Sequence, residues 1–320
     1  SKRFLTLDCL LTGRRNTHIT STTATFIRNR TPSFYAPYRL LRGADITASL
    51  FSREFYNENT RKPKNLPALK ELFSLFSIGR TLEDVNINLP RKNIEVIKVG
   101  MSQKQKEVYK EVGFKVSDLF AENQYLAGIA RQLSACSHPC VWEEYKMFEN
   151  IAVNKMKLLD ELLEEIGDIP VAVWSKHPNV LARIAETYPE RLPIVLDGTL
   201  SEKEFNSRFM SFLQGDSKLL CLSLGACNQS MDGIQHRCHN NIFFDLSWKP
   251  TEFIQSQGRT HRRGQSKLTN FYYLVYKDTL DETVYNMLQE KITHARNVED
   301  LDKNMYDDLV KTIQKKGKLK

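Results

Sequence analysis

The sequence predicts an α/β protein whose second half forms a parallel β-sheet with helices on both faces. From residue 170 onward, short apolar runs alternate with stretches of helical periodicity, which is typical of doubly covered strands joined by helices. The runs expected to form strands are 171–174, 194–196, 219–222, 242–244 and 271–275. The helical stretches lie near 178–188, 201–213, 251–262 and 280–296.

Helix starts are marked by capping-box spacing, in which Ser or Thr precedes Glu or Gln by three positions. The pairs are Ser201 with Glu204, Thr279 with Glu282, and Ser102 with Gln105. An apolar stripe along 154–166 predicts one more helix packed on a core. In the first part of the chain, the β-branched run 18–25 predicts a strand, and the remainder up to residue 150 is expected to be mainly helical.

Composition restricts the class of protein. The 320 residues suffice for about two domains, and 41% hydrophobic with 26% charged residues is ordinary for a globular protein. No apolar run approaches membrane-spanning length, and six scattered cysteines favour a reducing compartment, so we expect a soluble intracellular protein of the cytoplasm or nucleus, or of a host cell if viral. Cys136 and Cys140 have a spacing found in zinc sites, but the second pair of ligands that zinc needs is absent, so no metal site is predicted. A net charge of +8 permits a polyanionic partner.

Residues 255–265 carry the most chemical information. Their sequence is Gln-Ser-Gln-Gly-Arg-Thr-His-Arg-Arg-Gly-Gln. If helical, this segment places Gln255, Arg259 and Arg262 on one face, because they are separated by four and three residues. Two guanidinium groups on one face suit a polyphosphate, since arginine offers a rigid fork of donors and stays charged. Flanking glycines are expected to allow close backbone approach and to end the helix.

This segment resembles motif VI of superfamily-two helicases in its Swi/Snf-type DNA translocase form, Gln-x-x-Gly-Arg-x-His-Arg-x-Gly-Gln. Other segments resemble that family's elements in the same order. They are Thr23-Ala24-Thr25 with 26–30 (motif III), 80–85 with Leu-Pro-Arg-Lys at 89–92, Cys-Ser-His-Pro at 136–139, 154–159, 196–199, and Asp-Leu-Ser-Trp-Lys-Pro at 245–250.

The resemblance implies a RecA-like helicase C-terminal lobe preceded by a mostly helical partial first lobe. It divides the chain into a remnant of the first RecA-like lobe at 1–60, a helical inter-lobe element at 61–150, the second lobe at 151–298 and a basic tail at 299–320. In that family the two motif VI arginines act as fingers on ATP. Candidate site residues are then Arg259 and Arg262 for catalysis, with Gln255, Gly258 and Gln265 for nucleotide binding or sensing, and Thr23, Ala24 and Thr25 for coupling.

Contacts to a double-stranded DNA backbone are expected at helix N-termini that follow the carboxyl ends of strands, where anions bind readily. The candidates are Gly198, Thr199, Ser201, Ser223 and Lys249. For each residue a cap or turn role is an equally good interpretation.

Two departures from the family pattern matter. The motif V segment 223–235 lacks most of the family's glycines. No Gly-x-x-x-x-Gly-Lys-Ser/Thr and no Asp-Glu-x-His box occurs, although these hold the phosphates of ATP and Mg²⁺. We therefore expect an ATP site with Mg²⁺ that needs a protein partner or preceding segment to supply both motifs. The alternative is a non-hydrolysing DNA-binding or regulatory module, and the sequence leaves both open.

Overall fold

The computed structural model describes residues 20, 35–42, 46–57, 62–75, 89–121, 125–138, 141, 152–225, 231–247 and 250–294. These residues divide between two compact units. The chain passes from the first unit to the second between Asn86 and Ile87, and back to the first between Leu288 and Gln289.

The first unit contains a small core under three short helices. The elements are α1 (Tyr35–Arg42), α2 (Ala48–Phe55), α3 (Leu66–Ser74) and the antiparallel two-residue strands β1 (Tyr56–Asn57) and β2 (Lys62–Pro63). Thr47 caps α2, since its hydroxyl accepts a hydrogen bond from the Leu50 amide. The buried residues of this core are Tyr38, Phe51, Phe55 and Leu69. The strand expected over 18–25 lies, apart from Thr20, outside the described residues.

The second unit is built on a six-stranded sheet in the order β3-β8-β7-β4-β6-β5, and each strand pair is parallel. Its strands are β3 (Lys92–Val99), β4 (Val171–Ser175), β5 (Ile194–Leu196), β6 (Leu219–Ser223), β7 (Asn240–Phe243) and β8 (Thr269–Tyr276). The five strands predicted from apolar runs are confirmed, and so is the parallel α/β fold.

Helices cover both faces of this sheet, as predicted. They are α4 (Gln103–Ala121), α5 (Tyr125–Ser137), α6 (Asn154–Ile166), α7 (Pro178–Thr187), α8 (Glu202–Gln214), α9 (Ile234–Arg237), α10 (Pro250–Thr260) and α11 (Leu280–His294). On one face, leucines of α6 and α7 pack against β4, β6 and β8 in a single core. On the other face the core is aromatic: Tyr273 of β8 stacks on Phe243 of β7 and Phe253 of α10, with ring centroids 4.7 and 5.0 Å apart.

Strand β3 was not predicted, because residues 61–150 were expected to be helical. It pairs with β8 over its full length, from Lys92 beside Thr269 to Val99 beside Tyr276. Polar residues alternate with Ile94, Val96 and Ile97 here, and most of the strand is exposed. An edge strand tolerates such polarity because one side of it faces solvent. The four-segment division of the chain remains a prediction.

The expected capping boxes differ in outcome. Ser201 and Glu204 form both bonds of a capping box at the start of α8. At the start of α4, the Gln105 amide donates to Ser102, but the Gln105 side chain turns inward and donates to Ala135 O. At the start of α11, the hydroxyl of Thr279 accepts from the Asp281 amide and the Glu282 carboxylate accepts from the Asp278 amide, and the helix begins there as expected.

Candidate functional site

Helix α10 ends earlier than the sequence pattern indicates, and this changes the arrangement of its arginines. The helix stops at Thr260, so Arg259 lies in its last turn while Arg262 lies in the turn that follows. The expectation that both arginines share one helical face is therefore wrong. Gly258 lies within the helix and does not end it. We call residues 261–265 the arginine turn.

Gly264 gives the arginine turn its shape. Its φ of +97° is in the left-handed region, where glycine is favoured. A Cβ at this position would come within 2.7 Å of Cε1 of His236, which lies in α9. The turn is thus packed directly against α9, which begins within the motif V segment and ends two residues after it.

Gln265 fastens the same turn to the end of α10 and to the segment between α9 and β7. Its buried side-chain amide donates to Cys238 O and Thr260 O, both at 3.1 Å. Its Oε1 accepts from the amides of Ser266 and Lys267, both at 3.0 Å. With two bonds donated and two accepted, this side chain holds the loop in place and leaves Arg262 as the projecting group.

Arg262 reaches the surface next to the motif V segment. Its side chain is 40% exposed, and its guanidinium lies 3.3 Å from Oδ1 of Asp232. The same oxygen accepts a bond from Gln235 Nε2 at 3.3 Å, and Gln235 Oε1 accepts from the Gly233 amide. Motifs V and VI therefore meet through a chain of hydrogen bonds that ends on the guanidinium. Asp232, within the motif V segment, is the residue in contact.

The other motif VI candidates lie along α10. Arg259 and Gln255 are half-buried, and Gly258 is exposed. A Cβ added at Gly258 would meet no atom within 4 Å, so this lobe itself does not require glycine there. An open backbone position between Gln255 and Arg259 leaves room for a ligand to approach the helix.

The Leu-Pro-Arg-Lys element at 89–92 also contacts α10. The Lys92 ammonium group donates to Oε1 of Gln257, and Nε2 of His261 lies 3.0 Å from Pro90 O. Partial burial lowers the pKa of Lys92. Local sequence patterns indicated no role for this element, because its partners lie more than 160 residues away along the chain.

The candidate DNA-backbone residues lie at a different edge of the sheet. The arginine turn borders the amino ends of β7 and β8, since Gln265 Nε2 donates to Cys238 O just before β7, and β8 begins four residues after the turn. Thr199 and Ser201 instead follow the carboxyl end of β5, and Ser223 ends β6. The structure does not bring these two groups of candidates together.

Two of the candidates that follow β5 form hydrogen bonds with side chains nearby in the sequence. Asp197 Oδ1 accepts from both the amide and the hydroxyl of Thr199, at 2.8 and 2.6 Å. Ser201 is the N-cap of α8, and its amide donates to Glu204. Gly198 has open space around its Cα. Thr199 and Ser201 thus have the turn and cap roles that the sequence left open as an alternative.

A buried ionic cluster near the carboxyl ends of β7 and β8 was missed from the sequence. The Lys155 ammonium group donates to Asp281 Oδ2 at 2.6 Å and to Phe244 O at 2.9 Å, and both side chains are almost fully buried. Burial raises the pKa of the Asp281 carboxyl, and Lys155 opposes that shift. Only Lys155 had a sequence signal, through its place in 154–159.

A second buried acid lies beside this cluster. Asp245 accepts bonds from the Ser175 hydroxyl at 2.5 Å and the Lys176 amide at 2.6 Å. Burial lowers the pKa of His177, an effect that the charge of Asp245 opposes. These groups tie the ends of β4 and β7 together.

Within the described part of the chain, no group of three or more His, Cys, Asp or Glu side chains is placed to hold a metal ion. In the same part, no helix combines the length and apolarity needed to cross a membrane. Thr23, Ala24, Thr25 and Lys249 lie outside the described residues.

The parallel six-stranded sheet with helices on both faces is a RecA-like α/β fold. Two family models match the chain: the SNF2-related domain over residues 15–150 and the helicase conserved C-terminal domain over residues 154–264. The chain belongs to the Snf2 family of helicase superfamily two.

Similar proteins include ATPases of chromatin remodelling. The chain is 26% identical over 240 residues to a probable chromatin-remodeling complex ATPase chain of Oryza sativa subsp. japonica, covering 70% of this chain and 22% of that protein. It is 27% identical over 254 residues to chromodomain-helicase-DNA-binding protein 1-like of Danio rerio, covering 74% and 24%. The chain therefore spans about a quarter of the length of these relatives.

Solved structures share the fold. The Sulfolobus solfataricus SWI2/SNF2 ATPase core in complex with dsDNA aligns with a TM-score of 0.52 and 20% identity, over 85% of this chain and 60% of that one. The C-terminal part of the Fun30 ATPase domain aligns with a TM-score of 0.51 and 17% identity, over 62% and 88%. At these identities the similarity shows the fold alone.

Proposed function

We propose that this chain is the C-terminal half of a double-stranded-DNA-dependent ATPase and translocase, and that it supplies arginine fingers to a composite ATP site. The observation that carries the proposal is the arginine turn. Gln265 and Gly264 fix the loop, while the Arg262 guanidinium projects from it, 40% exposed. A rigid loop with a projecting guanidinium suits a group that must meet a phosphate held elsewhere.

In this proposal Arg259 and Arg262 neutralise the charge that develops on the transferring phosphoryl group. Fingers of this kind contribute roughly 10³–10⁵ in rate. Gln255 and Gly258 line the approach to the helix, and Gln265 acts by holding the turn. Snf2-family ATPases in general use nucleotide and Mg²⁺, and here a segment or partner chain with the P-loop and the Asp-Glu box holds both.

Binding to duplex DNA belongs to the same proposal. We assign backbone contacts to the helix start after β5, at Gly198, Thr199 and Ser201, and to Ser223 and Lys249, with Thr23, Ala24 and Thr25 as coupling residues. Since the arginine turn and the end of β5 lie at different edges of the sheet, nucleotide and DNA have separate surfaces on this lobe. The Sulfolobus solfataricus ATPase core, which shares this fold, was solved in complex with dsDNA, and this supports the choice of ligand.

The test is reconstitution of ATPase activity with duplex DNA. The chain is assayed alone and after co-expression with an Snf2-type first lobe that carries both missing motifs. Activity is expected only in the mixture, and Arg262→Ala is expected to lower kcat about 10³-fold or more. Arg263→Ala, at the exposed neighbouring position, is the matched control and leaves kcat within about twofold. An inactive mixture, or an unaffected Arg262→Ala complex, would refute the proposal.

The altered motif V segment favours a second candidate, a non-hydrolysing DNA-binding or regulatory module. In the family that segment is rich in glycine, which lets the backbone approach phosphate; here Cys227, Asn228 and Ser230 stand where the family has glycine. Duplex binding that weakens with added salt, together with no ATP turnover in any mixture, would select this candidate over the first.

A further inference from the structure

We infer that Lys92 is a positioning residue for the arginine turn: segment 89–92 clamps the last turn of α10 and so fixes where Arg259 and Arg262 lie. The role of the two arginines rests on the proposed function. The clamp itself is a property of the second unit and can be tested without nucleotide or partner.

The clamp has two contacts, one on each side of Arg259 in the sequence. Lys92 Nζ donates to Gln257 Oε1, and His261 Nε2 lies 3.0 Å from Pro90 O, so that the ring nitrogen donates to the carbonyl. Gln257 and His261 are four residues apart and are joined by the last backbone bond of the helical ladder, at 3.0 Å. Segment 89–92 therefore grips the helix end where Arg259 lies.

Gln257 connects this contact to the aromatic core. Its Nε2 donates to the hydroxyl of Tyr273 at 2.5 Å, while its Oε1 accepts from Lys92. Tyr273 itself packs against Phe243 and Phe253 in a cluster of three rings. The glutamine is thus held between strand β3 and strand β8, which restricts rotation of α10 about its axis.

The contacts of Lys92 suit a residue that orients α10 and not one that forms an ion pair. Its ammonium group lies 5.3 Å from the centroid of the Phe271 ring and bonds to an amide oxygen, and both of these partners are neutral. The backbone on each side is fixed by pairing with β8, including the bond from Thr269 N to Arg91 O at 3.1 Å. A side chain anchored in this way defines one direction for its hydrogen bond.

The clamp lies where the chain has just entered the second unit, a few residues after Ile87. A shift of segment 89–92 therefore acts directly on the helix end and on the turn that carries Arg262. This assigns to the Leu-Pro-Arg-Lys element a role in setting the geometry of the fingers.

The experiment compares Lys92→Met with Lys98→Met in the full chain. Methionine keeps an unbranched apolar side chain at position 92 and removes the donor. Lys98 lies on the same strand and pairs with Glu282 at 2.8 Å, away from α10, so it is the matched control. The readouts are amide hydrogen exchange over residues 257–265 and the arginine side-chain Nε–Hε signals of ¹⁵N-labelled protein.

Lys92→Met is expected to accelerate exchange in the arginine turn about tenfold and to move the Nε–Hε signals of Arg259 and Arg262, with β4 and β6 unchanged. Gln257→Leu is expected to reproduce the effect, and the double variant to add little to either single change. Lys98→Met is expected to leave these signals in place. Unchanged signals in Lys92→Met, or the same response in Lys98→Met, would overturn the inference.

If Lys92→Met does not fold, His261→Phe breaks the second contact of the clamp and is expected to change the same signals; no change would overturn the inference.

In the reconstituted ATPase, Lys92→Met is expected to lower kcat about tenfold with KM for ATP within about twofold. A reconstituted enzyme that is inactive with the wild-type chain refutes the proposed function, while the exchange and arginine signals still decide the role of Lys92.

Discussion

Two features of the turn require glycine at position 264. Its φ is positive, and the ring of His236 lies where a Cβ would need space. We expect Gly264→Ala to lower the free energy of unfolding by about 1–3 kcal/mol, because alanine is strained at this φ and its Cβ would meet the ring. Urea denaturation followed by circular dichroism measures the change.

Gly258→Ala is the control for this substitution. Its Cβ would meet open space within α10, so the change is expected to be neutral or to stabilise by roughly 0.5–1 kcal/mol. Equal stabilities of the Gly264→Ala and wild-type proteins would show that the turn can adjust.

His138 makes stability depend on pH. Burial, with a smaller contribution from the charge of Arg183, lowers its pKa to about 4, below an ordinary value near 6.5. Between these values the unfolded chain binds a proton that the folded protein does not, so this stabilisation is complete above about pH 6.5 and is lost as pH falls toward 4.

We expect the contribution of His138 to the free energy of unfolding to fall by about 1.4 kcal/mol for each unit by which pH is lowered within that window. Comparing His138→Asn with the wild type isolates it, because the carboxylates and the other histidines are common to both proteins. The variant should show a shallower dependence of unfolding free energy on pH between 4 and 6.5. Parallel curves for the two proteins would contradict the assignment.

At the scale of elements, the buried ion pair joins the start of α6 to the start of α11. In Lys155→Met, the Asp281 carboxylate stays buried and still accepts the hydrogen bond from the Tyr276 amide. It loses the ammonium group that neutralises its charge. The expected cost is about 3–5 kcal/mol in unfolding free energy.

The double variant Lys155→Met/Asp281→Leu is expected to be more stable than Lys155→Met, because no unpaired charge remains buried. Chemical denaturation of both singles and the double gives the coupling energy. Additive effects of the two single changes would contradict a direct ionic link between the helices.

Which elements the sequence predicts depends on how local their signals are. Strands β4 and β6 are apolar in continuous runs because both faces are buried, and such runs are visible in the sequence. Strand β3 is hidden because an edge strand carries charged residues such as Lys92, Glu95 and Lys98. Its identity depends on pairing with β8, more than 170 residues later.

The candidate site was predicted in part for the same reason. The motif pattern located the arginines and Gln265, since their spacing is local. It could not show that α10 ends at Thr260, or that Arg262 contacts Asp232, because the turn after α10 is shaped by contacts with Asp232 and His236, about 30 residues earlier in the chain. The nucleotide and DNA roles of these residues remain predictions.

On the scale of the molecule, the described elements of the two units differ in local burial. Residues of β4 and β6 are buried throughout both strands, whereas α2 has only two buried residues among its eight, Phe51 and Phe55. Segments with fewer buried apolar contacts open at a lower free-energy cost. We expect amides of α2 and α3 to exchange at lower urea concentrations than amides of β4 and β6, as measured by native-state hydrogen exchange.

A single urea dependence shared by both groups of amides would contradict that expectation, because it would mean that the units unfold together. Amides of β8 in the wild type serve as the internal reference, since this strand lies within the sheet between β3 and β7.

The bonding of Gln265 bears on how related sequences are interpreted. The four bonds of its side chain are to backbone groups of the same lobe, so selection for folding alone preserves this glutamine. Under the proposed function, a descendant that no longer hydrolysed ATP would retain it. Arg262 has no comparable anchoring in the core, and its replacement would cost the fold little. The same proposal therefore predicts that relatives of this chain that keep the glutamine and lose the arginine no longer hydrolyse ATP.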